Sequence, residues 1–96
     1  MTIIVGHFAT PNASKYLQQL CKHFGHKVDV EYDESAGLAA LPCGPARMTA
    51  TAEGLSVSID LEDLDDRQKA QSIIDSHLER FAFREDFKAM NWTTSD

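Results

Sequence analysis

Ninety-six residues with 43% hydrophobic and 25% charged content describe one ordinary globular domain over residues 1–96, not a disordered chain. A chain this short buries roughly 60–65% of its unfolded surface, so it holds one modest core. The net charge of −6 argues against general nucleic-acid binding, which needs a basic surface, and against docking on an anionic membrane.

Residues 2–9 read as a first strand, β-branched and apolar on both faces. This strand is expected to be covered twice or to lie at an interface. A helix over about 11–24 follows. Thr10 is its expected N-cap and Pro11 its first residue. Tyr16, Leu17, Leu20, Cys21 and Phe24 recur on one face, and Gly25 is placed for a left-handed C-cap.

Residues 27–33 alternate, with Val28, Val30 and Tyr32 inward. D-E-S-A-G is a turn. Gly37 to Leu41 is a short third strand, ended by P-C-G-P, where prolines bar ladder donation. Ala46 to Ala52 and Leu55 to Leu61 form a hairpin about Glu53 and Gly54. A second helix is expected over about 63–83. Acidic residues crowd its start, as the macrodipole favours, and Ala70, Ile73, Ile74, His77, Leu78 and Phe81 form its stripe. Residues 86–92 read as a last strand, and T-T-S-D as a fraying tail.

The order β-α-β-β-β-β-α-β predicts an α+β, two-layer sandwich. Its sheet is mainly antiparallel, with both helices on one face. The runs T-I-I-V and L-S-V-S-I are too short to span a bilayer and no signal peptide precedes the fold, so a cytoplasmic address is expected. Cys21 and Cys43 are expected as reduced thiols, with Cys43 exposed at its turn.

The chain contains no G-x-S-x-G, P-loop, G-x-G-x-x-G or H-E-x-x-H. Chemistry must come from scattered side chains. Lys22, His23, His26 and Lys27 at the end of the first helix, with His77, Arg80 and Arg84 on the second, compose a local basic patch. It suits a carboxylate or phosphate held by charge-assisted hydrogen bonds. The plainer reading is cationic charge complementing helix C-termini, with pairs to Glu31, Glu79 or Glu85.

His23, His26 and His77, with Cys21, also offer ligands for zinc or iron. Cys21 and His23 lie about 200° apart on a helix, whereas His23 and His26 lie about 60° apart unless Gly25 breaks it. His77, inside the apolar stripe, needs a hydrogen-bond partner, for which Tyr16 is a candidate. Cys43 has no neighbouring base or cation to activate it. The acidic stretch 62–66 lacks the spacing of a calcium loop.

A-S-K-Y-L-Q-Q-L-C-K-H-F-G-H-K and S-H-L-E-R-F-A-F-R-E, with the T-P-x-A-S opening and the D-E-S turn, resemble the signature blocks of the bacterial domain of unknown function 2218 (DUF2218). The resemblance covers nearly the whole chain. It implies a small stand-alone domain with no established activity. The blocks include Ser14, Tyr16, Cys21, His23, His26, Lys27, His77, Arg80, Arg84 and Glu85. An aldolase activity ascribed to some members, on 2,4-dihydroxyhept-2-ene-1,7-dioic acid, needs a barrel of ~250 residues that this chain has no room for.

The expectation is therefore a binding domain, with no catalytic residue assigned. It would take a small anionic molecule or a partner protein. The alternatives are a zinc or iron protein and a homodimeric interaction module, the latter motivated by the two-sided first strand and Trp92.

Overall fold

The computed structural model describes residues 2–85, 87 and 89–95. Strand β1 (Thr2–Phe8) leads into helix α1 (Ala13–Phe24). Strands β2 (Val30–Tyr32), β3 (Ala36–Leu41), β4 (Gly44–Thr51) and β5 (Gly54–Leu61) follow. A 3₁₀ turn (Leu64–Asp66), helix α2 (Arg67–Phe81), a second 3₁₀ turn (Phe83–Glu85) and strand β6 (Asn91–Ser95) complete the expected order. The six strands form one antiparallel sheet, β2-β3-β4-β5-β1-β6.

Alternation along the strands separates the two faces. Ile4 lies opposite Ile59, Ile59 opposite Ala46, Ala46 opposite Ala39, and Ala39 opposite Val30. The first four of these are fully buried. One residue along runs the other row: Val5, Ser58, Arg47, Leu38 and Glu31. None of these is buried, so β1 is covered on one face only. Leu17, Leu20 and Cys21 of α1 and Ala70, Ile74 and Leu78 of α2 pack onto the inner row without residual exposure. Each such leucine or isoleucine contributes about 1.5–3 kcal/mol by leaving water.

The helix ends depart from expectation. Residues 11 and 12 form a turn, and Thr10 caps that turn, its Oγ1 accepting the Asn12 N–H at 3.1 Å. Gly25 is right-handed, with φ −61°. Its role is close approach, since a Cβ there would meet Val30 Cγ2 at 3.1 Å. The chain leaves α1 through a further turn in which Gly25, His26, Lys27 and Val28 donate N–H bonds to Cys21, His23 and Phe24 carbonyls.

P-C-G-P does not end the pairing. Pro45 lies within β4 opposite Ala40, whose N–H turns away to Asp29 O at 3.0 Å, so that pair loses no ladder bond. Gly44 makes the approach feasible. With φ +141°, a Cβ there would sit 1.9 Å from Asp60 O. The same turn tucks Cys43 inside, at 4% exposure, against the expectation of an exposed thiol.

Strand β2 is shorter than its alternation suggests. Tyr32 is 43% exposed at the sheet edge, where no further strand covers it. The last strand lies over 91–95, not 86–92, and so takes up most of the tail expected to fray. Its partner is β1, from His7 opposite Asn91 to Ile3 opposite Ser95. Of the expected strand, residues 86 and 88 lie outside the described residues.

Candidate functional site

Helices α1 and α2 run antiparallel over the inner face, so the end of α1 meets the last turns of α2. Ala70, Ile74 and Leu78 bury the centre of the α2 stripe. Ile73, His77 and Phe81 form its half-buried flank. This is why His77, expected in the core, stands at its border.

The His23 and His77 rings approach to 4.5 Å between centroids at 61°, and Phe24 lies 5.1 Å from His77. His26 is 6.5 Å from His23, and Phe81 6.3 Å. His77 does not bond Tyr16. Its Nδ1 lies 2.5 Å from its own helix's Ile73 carbonyl oxygen, which assigns the proton to Nδ1 and leaves Nε2 facing outward.

Beneath these rings is a cavity of about 210 Å³ lined by His23, Phe24, Lys27, Val28, Leu41, Pro42, Ile73 and His77. Its walls are apolar, and its polar groups are two imidazoles and one ammonium. A shallower groove of about 290 Å³ adjoins it, lined by Gln19, Lys22, His23, His26 and Phe81. The Gln19 amide oxygen there is shielded and has no hydrogen-bond partner among the described residues.

The His23 imidazole is held below its ordinary value of 6.5. Burial is the first cause, followed by repulsion from His77, His26, Lys27 and Arg80. Among the described residues, the side chains of Lys22, His23, His26, Lys27 and Arg80 have no hydrogen-bond or ion-pair partner. Arg84 stands past the end of α2 in the second 3₁₀ turn, so the four-residue spacing does not put it on Arg80's helix face. The three histidines converge, yet no group of three His, Cys, Asp or Glu side chains among the described residues is placed to hold a metal ion.

Two turns back along α1 lies a second polar cluster that sequence reasoning missed. The Glu85 carboxylate accepts from Thr10 Oγ1 at 2.7 Å, from Asn12 Nδ2 at 3.1 Å and from the Tyr16 hydroxyl. Tyr16 is buried and stacked beneath Phe8, with ring centroids 6.0 Å apart. The hydrogen bonds of Thr10 and then Tyr16 hold Glu85 below the usual carboxylate range. Burial first, and then Glu85, push the Tyr16 hydroxyl up. Asp75, also missed, accepts from Met90 N at 3.0 Å and from Trp92 Nε1 at 3.0 and 3.2 Å, tying β6 to α2. The two cysteines are free thiols, and burial pushes Cys21 up to about 11 and Cys43 upward too.

The fold and the cluster define the chain's class. It is a small α+β domain with an antiparallel six-stranded sheet, two helices on one face and a histidine-rimmed cavity between the helices. It belongs to the family described as an uncharacterized protein conserved in bacteria, DUF2218, whose model matches residues 5–93. An NMR structure of the protein PA4090 from Pseudomonas aeruginosa is similar over 97% of this chain and 96% of that one. It has 27% sequence identity and a TM-score of 0.78. No curated protein matches the chain. Among the described residues, no helix is long and apolar enough to cross a membrane.

Proposed function

We propose that this protein is a cytoplasmic binding domain, not an enzyme, and that it holds a small anion at the histidine rim between α1 and α2. The observation that carries this reading is the set of unpartnered cationic and protonatable side chains around one cavity: Lys22, His23, His26, Lys27 and Arg80, beside His77. On a chain of net charge −6 such a cluster repels itself, and an anion relieves that repulsion.

The C-terminus of α1 opposes an anion through its dipole. Here the last carbonyls of α1 already accept the N–H groups of residues 25–28, which blunts that end. Protonation of His23 and of His77 Nε2 on binding supplies the charge-assisted donors.

The test is an acetate titration followed by NMR of the histidine ring resonances. Saturable movement of His23 and His77, lost in Lys27→Met, supports the reading; rings that do not respond contradict it. Zinc or iron on His23, His26 and His77 is the rival occupant. Stoichiometric metal in untagged protein, lost in both His23→Ala and His77→Ala, would replace the anion.

A further inference from the structure

The rim accounts for charge but not for the cavity beneath it. Behind His23, His77 and Lys27 the walls are Phe24, Val28, Leu41, Pro42 and Ile73. A hydrated inorganic anion has no use for such a space. Its water would face apolar carbon, where each unmatched polar group costs about 1–3 kcal/mol.

The size narrows the occupant. An engineered apolar cavity of about 150 Å³ in another protein stays dry and admits benzene, whereas drug-sized ligands fill about 300–1,000 Å³. At about 210 Å³ this cavity has room for one six-membered ring or a branched chain of similar size, and little more. The charged groups sit on one side only, so the ligand must be charged at one end and apolar at the other.

We infer that the ligand is a small monocarboxylate with a compact apolar tail, its carboxylate among His23, His77 and Lys27 and its tail against Phe24, Val28, Leu41 and Ile73. The inference rests on the anion reading above and deepens it by naming the ligand class. Each buried methylene of the tail adds about 0.8 kcal/mol, so a six-carbon ring separates tailed from tailless carboxylates by well over tenfold. The rim then contributes orientation, and the cavity contributes affinity and the limit on size.

The experiment compares benzoate, acetate and benzyl alcohol by NMR titration of the full chain, reading the histidine rings, the Phe24 ring and the Ile73 methyls. The expected result is benzoate binding at least about tenfold tighter than either other probe, with histidine and cavity resonances moving together. Acetate matching benzoate, with only the histidines moving, leaves the anion reading standing and overturns this one. Benzyl alcohol matching benzoate overturns the carboxylate assignment. If no probe moves the rings, both readings fall. Ile73→Trp, which fills the cavity from a half-buried position, is expected to abolish the benzoate preference and leave acetate binding in place; an unchanged preference also overturns the inference.

Discussion

Tyr16 and His23 stand two turns apart on α1, about 10 Å along its axis, and each meets the chain near the end of α2. At Tyr16 the contact is closed. One carboxylate accepts from three side chains, two of them buried. At His23 it is open: two imidazoles face each other edge on, their neighbours are cations, and an apolar cavity lies below. Both clusters connect the same two segments. A matched network holds the segments together, because each donor would be unsatisfied without it. An unmatched one contributes little to stability and remains available to a ligand.

Removing the acceptor of the closed cluster should have the largest effect. Glu85→Ala leaves the Thr10 and Tyr16 hydroxyls without their acceptor and is expected to cost about 2–4 kcal/mol in urea unfolding, with acetate affinity retained. A loss below about 1 kcal/mol would break the comparison. The open cluster should respond oppositely. His77→Phe keeps the packing against Phe24 and should alter stability by no more than about 1 kcal/mol while weakening acetate binding by about tenfold or more.

Proton linkage sharpens the contrast. Glu85 is depressed in the fold, so its contribution is fully present above the ordinary value of 4.5. It is lost as pH falls through the lower native value. Acid unfolding of Glu85→Gln should lack that step. His23 is also depressed, and its contribution is present above 6.5 and lost as pH falls through its native value. An anion favours the protonated ring, so acetate should bind more tightly at about pH 6 than at about pH 8, and His23→Gln should flatten that dependence. The smallest effect is expected at exposed His26, where alanine should change stability by less than about 0.5 kcal/mol.

The two clusters were unequally legible in the sequence. His23, His26 and His77 could be flagged because helical spacing places them at the end of one helix and on the stripe of another. Their meeting follows once both helices cover one sheet face. Glu85 could not be read this way. Its partners lie 69 to 75 residues away, and it sits on a 3₁₀ turn with no periodicity of its own. The same reason hid β6. Asn91 to Ser95 is polar and weakly patterned, and it is a strand because β1 offers it an unpaired edge and Asp75 anchors Trp92. The meander β2 to β5 was legible because its alternation is local. Where that pattern failed, at Tyr32 and Pro45, the cause was the sheet edge and the direction of a single N–H.

The most direct test is a ring-resolved pH titration of the histidines, with and without benzoate. The account predicts that His23 titrates below the ordinary 6.5 in free protein and moves upward when benzoate is added. The ring resonances of His7, on the uncovered face of the sheet beside Ser56, should not respond to benzoate. A His23 that titrates at 6.5 and ignores benzoate, or a His7 that responds as strongly as His23, would contradict it.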